Sequence, residues 1–107
     1  MPITKSDIVT RTFFLGFIRL HILHHASVGP IFGLDMIREL ATHGYNLSPG
    51  TLYPILHGLE EEGFLESEKQ VIEGKVRKYY RATPSGMTIL ARAMDQMREL
   101  LDEIAEQ

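Results

Sequence analysis

The stretch LSPGTLYPILHGLEEEGFLES, residues 47–67, decides how this chain is expected to fold. Ser48 followed by Pro49 is typical of a helix start, because serine can cap the first turn and a proline at the first helical position loses no hydrogen bond. Apolar residues then recur at helical spacing, and these are Leu52, Ile55, Leu56 and Leu59. With Gly63 as the terminator, the pattern predicts an amphipathic helix over about residues 48–62.

The other side of this helix is small and free of acidic groups at its start. Pro54 lies in the helix interior, where its ring distorts the backbone around the carbonyl of Gly50, and a glycine accommodates such distortion best. Glutamates occur only at the far end, at positions 60–62. The first turns instead offer hydroxyl groups, from Ser48, Thr51 and Tyr53. Such a surface can approach an anionic partner closely.

Two more helices are expected before this segment. Residues 8–26 are strongly apolar on more than one face, which predicts a helix buried on two sides. Residues 32–43 show a one-sided apolar pattern and are followed by Gly44, where a C-terminal glycine cap is expected.

After Gly63 the spacing of apolar residues changes from that of a helix to that of a strand. Residues 64–71 and 76–82 are the two candidate strands, with Gly74 as the turn residue between them. Thr83 and Pro84 then repeat the signal for a helix start, and a last helix runs to near the C-terminus. Three helices, a hairpin and a final helix are the plan of a winged helix-turn-helix, so the fold class is mainly α with a small β-hairpin.

Composition sets limits on the class of protein. The chain has 107 residues, a net charge of −3 and no cysteine, which excludes thiol chemistry and favours a cytoplasmic location. Neither a membrane segment nor a cleavable signal is expected. No glycine-rich phosphate loop or supported catalytic set is present, so we expect no enzyme and no cofactor.

Positive charge is concentrated in the expected hairpin. Between Lys69 and Arg81 the basic residues are Lys69, Lys75, Arg77, Lys78 and Arg81, against the single acidic Glu73. A local basic patch indicates an anionic partner whatever the total charge, although an ordinary solvated hairpin would look the same.

The last helix carries a heptad seam. Its apolar residues are spaced three and four apart, and they are Met87, Leu90, Met94, Met97, Leu101 and Ile104. So small a domain has little core left to cover this seam, which predicts pairing with the same helix of a second subunit. The alternative is packing on the first helix of the same chain.

Histidines cluster in the first helix, at His21, His24 and His25. His21 and His25 lie four residues apart, a spacing at which two imidazoles can chelate a transition metal. The expected role is nonetheless structural, near the negative end of the helix dipole. A regulator that responds to a metal through these histidines stays open as an alternative.

The opening stretch, together with RKYYRATPSG at residues 77–86 and GPIFGLDMIREL at residues 29–40, is similar to the PadR family of transcriptional regulators. The resemblance covers about residue 13 to the C-terminus. It implies a homodimeric winged-helix repressor that binds double-stranded DNA. In this family the long last helix forms the dimer, with help from the first helix. The family's DNA contacts map onto Ser48, Thr51 and Tyr53 on the third helix and onto Lys75, Arg77 and Lys78 on the wing.

Residues and resemblance together give one set of expectations. Residues 1–83 form a winged-helix DNA-binding domain and residues 84–107 a dimerisation helix, as one compact unit. The expected DNA-binding residues are Ser48, Gly50, Thr51, Tyr53, Pro54, His57, Lys75, Arg77, Lys78 and Tyr79. The expected dimer interface consists of Phe14, Phe17, Met87, Leu90, Met94, Met97, Leu101 and Ile104. Two alternatives stay open. One is that a small-molecule effector binds the protein. The other is that the winged helix binds a protein partner, which the negative net charge would suit.

Overall fold

The computed structural model describes residues 7–106, so residues 1–6 of the predicted unit 1–83 and residue 107 of the predicted unit 84–107 lie outside the described residues. The elements are α1 (Ile8–Val28), β1 (Ile31–Phe32), α2 (Gly33–Thr42), α3 (Pro49–Glu61), β2 (Leu65–Ile72), β3 (Lys75–Ala82) and α4 (Pro84–Ala105). This order confirms the mainly helical, winged helix-turn-helix fold class with a long last helix. None of the described helices has a stretch both long and apolar enough to cross a bilayer.

The sheet has three strands, where the sequence predicted only a hairpin. β1 pairs antiparallel with β3, with Ile31 opposite Tyr80 and Phe32 opposite Tyr79, and the strand order is β1-β3-β2. A strand of two residues is too short to show alternation, and only its pairing with β3 defines it. Phe32 therefore belongs to the sheet, and α2 starts one residue later than predicted.

The wing, which we define as β2, β3 and their connection, turns in two residues rather than the four expected. Ile72 lies opposite Lys75, so only Glu73 and Gly74 connect the strands. Both have positive φ, 52° and 77°, as the hairpin turn whose twist matches that of the strands requires.

The core lies between the helices and one face of the sheet. All four apolar residues predicted for the buried stripe of α3 are less than 9 % exposed, which confirms that stripe. The fully buried side chains include Ile18, Ile22, Met36, Leu40, Leu52, Leu56, Leu65 and Tyr80. α1 buries one face in this core, while its second face carries the 63 % exposed Phe13, so only one side of α1 is buried within the chain.

Helix ends follow from local hydrogen bonds. α1 extends two residues past the predicted residue 26, and it ends where the amide of Gly29 bonds to the carbonyl of His25. α2 ends at Thr42, one residue before the predicted residue 43, and Gly44 follows in the predicted glycine position with a φ of 88°. The amides of Gly44 and Tyr45 there bond back to the carbonyls of Ala41 and Leu40, both at 3.0 Å.

A joint at Thr83 fixes the start of α4. Its hydroxyl donates to the carbonyl of Gly63 at 2.6 Å and accepts from the amide of Gly86 at 3.0 Å, while its own amide donates to the carbonyl of Phe64 at 3.1 Å. Gly86 is buried, and a methyl group there would lie 2.1 Å from the carbonyl oxygen of Phe64. Backbone thus packs directly on backbone where α4 leaves the turn between α3 and β2.

We predict that Gly86→Ala destabilises the protein by about 1–3 kcal/mol or more, because the clashing atom belongs to the backbone and cannot rotate away. Thermal unfolding measures the loss. Gly50→Ala is the matched control, since its methyl group would meet only the hydroxyl oxygen of Ser48, at 3.8 Å. That variant should be as stable as the parent or up to about 1 kcal/mol more stable. Equal melting temperatures of Gly86→Ala and the parent would contradict the close contact between Gly86 and the backbone of Phe64.

Candidate nucleic-acid interface

The N-terminal half of α3 presents a low, hydroxyl-rich surface to solvent. The residues of this helix that were predicted to bind DNA and are exposed are Ser48, Gly50, Thr51, Pro54 and His57. Ser48 occupies the N-cap position as predicted, but its side chain makes no capping hydrogen bond. Its hydroxyl oxygen lies instead 3.2 Å from that of Thr51. Two hydroxyls therefore share one bond at the start of α3 and keep further capacity for an outside partner.

Tyr53 is placed differently from its exposed neighbours. Its side chain is half-buried, and its hydroxyl comes so close to Gly33 that a methyl group there would lie 2.6 Å from it. The ring therefore packs on the first residue of α2, and it ties the two helices of the helix-turn-helix together.

Pro54 does not interrupt α3, which runs as one α-helix from Pro49 to Glu61. Gly50 has open space around it, so the fold itself would accept a side chain at this position. The bare backbone at Gly50 is thus a property of the outer surface of α3 rather than a requirement of packing.

The two faces of the wing carry different residues. Because side chains alternate along a strand, Lys75, Arg77 and Tyr79 share one face of β3, and Lys78 and Tyr80 share the other. Tyr80 is 1 % exposed, so its face is the one that covers the core. Tyr79 accordingly lies on the outer face, which the sequence alone did not determine.

Aromatic rings hold Arg77 in place on the outer face. Its guanidinium lies 5.1 Å from the centre of the Phe32 ring, and that ring lies 5.8 Å from the ring of Tyr79. Phe32 comes from β1, so the strand missed from the sequence also supplies the ring beneath this arginine.

Lys78 is engaged within the chain. Its ammonium lies 3.5 Å from a carboxylate oxygen of Glu60, whose other oxygen accepts a hydrogen bond from Ser67. These contacts join the end of α3 to the sheet. Lys69 stands directly opposite Lys78 and is exposed, which makes it a candidate that the predicted set omitted. Its only signal in the sequence was membership of the basic run.

α1 and α4 carry a second surface, which is apolar. The residues of the predicted seam that are exposed in the single chain are Met87, Met94, Leu101 and Ile104. Leu90 and Met97 are half-buried, and a groove of about 610 Å³ runs along α1, α3 and α4 beside Phe17 and Met97.

Some residues of this surface differ from those expected. Phe14 packs edge-on against Tyr45 of the same chain, with ring centres 5.1 Å apart. Phe13 and Leu100, 63 % and 56 % exposed, line the groove and were not in the predicted set. Leu100 lies outside the strict heptad, so its position relative to α1 could not be deduced from spacing.

Three histidines come together between α1 and the end of α2, and we call His21, His25 and His43 the histidine cluster. One donor atom from each lies within 4.8 Å of the others. The sequence indicated His21 and His25, whereas His43 is distant along the chain and was missed. Glu39 joins them, with a carboxylate oxygen 3.3 Å from Nε2 of His25 and 3.5 Å from Nε2 of His43.

The surroundings of His21 and His25 favour the neutral form of these two imidazoles. Burial lowers the pKa of His21, and the neighbouring histidines lower it further. Burial also lowers the pKa of His25, although the Glu39 carboxylate acts in the opposite direction. Neutral rings keep a free nitrogen lone pair at neutral pH.

Comparison with known proteins agrees with this geometry. Residues 22–92 match the PadR-like family of transcriptional regulators. The chain is 47 % identical over 94 residues to the transcriptional regulator Rv3488 of Mycobacterium tuberculosis, with 88 % of each chain covered. It also resembles the crystal structure of a PadR family transcriptional regulator from Eggerthella lenta, with 32 % identity, a TM-score of 0.77 and 94 % and 92 % of the two chains covered.

A PadR-like transcription factor from Bacteroides fragilis is similar as well, at 27 % identity and a TM-score of 0.81, with 94 % and 98 % of the two chains covered. The two solved structures share the winged-helix fold described above. The family is one of transcriptional regulators rather than enzymes. Sequence and fold agree, and the chain therefore belongs to the PadR-like family of DNA-binding transcriptional regulators.

Proposed function

We propose that this protein is a repressor that binds an inverted-repeat operator as a homodimer, through α3 and the wing. The observation that carries the proposal is the low, acid-free start of α3, presented beside a basic hairpin. Recognition helices of this class enter the major groove with their N-terminal residues. Two copies would then read half-sites about one DNA turn, or a multiple of it, apart. We expect the protein to act in the cytoplasm.

The start of α3 is suited to a close approach to DNA. The exposed hydroxyls of Ser48 and Thr51 can bond to phosphates or base edges. Gly50 and Pro54 carry no long or charged side chains, and the glutamates of α3 lie at its opposite end. Tyr53 would act mainly by setting the angle between α2 and α3, with His57 one turn further along the exposed side.

The wing would supply phosphate contacts from both faces. Lys69 and Lys75 are exposed, and Arg77 is held above the Phe32 ring with its charge on the outer face. Like charges directly opposite on a sheet repel each other, so the Lys69–Lys78 pair gains from an anion nearby. Glu60 already neutralises part of Lys78, which makes Lys78 the weakest contributor among the predicted wing residues.

The apolar surface of α1 and α4 supports the dimer. A stripe of exposed methionine, leucine and isoleucine runs down α4, and monomeric proteins rarely leave such a continuous patch in water. Its heptad spacing suits pairing with a second α4, while the groove beside α1 offers a seat for the partner's side chains. PadR regulators are typically dimeric, which agrees with this arrangement.

We predict that Gly50→Ala lowers operator affinity about tenfold, the equivalent of about 1.4 kcal/mol, although the fold accepts the change. The added methyl group would stand between the backbone of α3 and the DNA. Fluorescence anisotropy with the protein's own upstream DNA, against a scrambled duplex, measures the effect. Unchanged affinity in a folded Gly50→Ala protein would show that DNA does not approach α3 at this position.

We predict that Arg77→Ala makes operator binding less dependent on salt. Each phosphate contact contributes about 0.9 to the slope of log affinity against log salt, so a dimer that loses two contacts loses about 1.8. Arg77→Lys keeps the charge and should retain most of the slope. Arg92→Ala removes the same charge from the exposed side of α4 and should leave the slope unchanged. Equal salt slopes for Arg77→Ala and Arg92→Ala would show that the wing is not part of the DNA interface.

We predict that Met97→Asp converts the dimer into monomers, because it would bury a charge beside the groove. Light scattering on a size-exclusion column measures the mass. Thr88→Asp introduces the same charge on the exposed side of α4, outside the apolar stripe, and should remain dimeric. A dimer that survives Met97→Asp in a folded protein would refute the α4 seam.

A further inference from the structure

The histidine cluster has a geometry that the DNA-binding function does not require. Three imidazoles from two helices converge with one carboxylate at the junction of α1 and α2. The ring centres of His21 and His43 are 4.8 Å apart, so side chains distant in sequence are in direct contact. None of the four belongs to the exposed face of α3 or to the wing.

Two distances at the Glu39 carboxylate are close to those between ligands of a single ion. Donor atoms around a tetrahedral zinc ion, with bonds of about 2.0–2.1 Å, lie about 3.4 Å from one another. The carboxylate oxygen of Glu39 is 3.3 Å from Nε2 of His25 and 3.5 Å from Nε2 of His43. The donor of His21 lies within 4.8 Å of those of the other histidines, and rotation of its ring in the half-buried site could shorten that distance.

We propose that His21, His25, His43 and Glu39 form a site for a divalent transition-metal ion, with the three imidazoles as ligands and the carboxylate as the fourth. Imidazole ligands suit zinc, nickel, cobalt and copper, whereas magnesium and calcium prefer oxygen. The sequence contains no cysteine, so metals that require thiolate are disfavoured. Zinc is the ion that best fits three imidazoles and one carboxylate.

The site would fasten the end of α2 to α1. His43 is the C-cap of α2, immediately before the turn that leads to α3, while His21 and His25 belong to the helix that borders the apolar groove. A bound ion would therefore fix the helix-turn-helix relative to α1. An effect on operator affinity follows only if the proposed function is correct.

The test is zinc binding by the full chain, produced without a histidine tag and measured in competition with a chromophoric chelator. We expect one zinc ion per chain. His43→Gln and His21→Gln should each lower the affinity at least 10- to 100-fold, and Glu39→Gln should lower it about 10- to 100-fold. His24→Gln is the matched control, because this exposed histidine on α1 lies outside the cluster. Its affinity for zinc should equal that of the parent.

Two readouts separate a specific site from loose binding. Cobalt should give visible absorption typical of a tetrahedral site in the parent and in His24→Gln, and not in His43→Gln. Zinc should also raise the melting temperature of the parent but not of His43→Gln, since only a preformed site stabilises the folded state. The absence of zinc binding by the parent, or parental zinc affinity in both His21→Gln and His43→Gln, would overturn the site.

Operator binding is then measured with zinc and with a chelator. Selective DNA binding in the chelator tests the proposed function alone, and zinc binding without DNA tests the site alone. A zinc-dependent change of affinity that disappears in His43→Gln would assign the site a regulatory role. An operator affinity that zinc does not alter would overturn that role and leave the ion a structural one.

Discussion

The burial of Tyr80 sets the arrangement of the whole sheet. It lies on β3, the middle strand of the sheet, opposite Ile31 on one side and Ser67 on the other, and it is 1 % exposed. Since neighbours along a strand face opposite ways, this one buried ring forces Tyr79 and Arg77 to the outer face. The chemistry of the wing surface is thus decided by what the core accepts, not by local preference for solvent.

A second constraint comes from the contacts that hold α3 and α4 in place. The joint at Thr83 holds α4 against the backbone of Phe64, so the last helix leaves the body of the fold in a defined direction. Tyr53 on Gly33 and Lys78 on Glu60 hold α3 at its two ends. The surface proposed to bind DNA and the apolar surface of α1 and α4 are therefore connected through these contacts, as the proposed reading of two half-sites at fixed spacing requires.

Sequence patterns predicted what depends on neighbours along the chain. The stripe of α3, the glycines that end α2 and α3 and the start of α4 at Thr83 all follow from local rules. The patterns missed what depends on contacts between distant segments. β1 exists only as a partner of β3, Tyr53 meets Gly33 across a loop, and His43 joins histidines that are eighteen or more residues away in sequence. No periodicity encodes such encounters.

The turn of the wing limits how this surface could diversify. Glu73 and Gly74 close the hairpin with the minimum of two residues, and that closure fixes which residue of β2 faces which residue of β3. Because the burial of Tyr80 and its pairing with Ile31 hold β3 in place, a single inserted residue would have to be accommodated in the turn, as a three-residue loop with a bulge. Substitution at an exposed tip position such as Glu73 would disturb no core contact. Through evolution or design, the tip of the wing can therefore change its charge without disturbing the core.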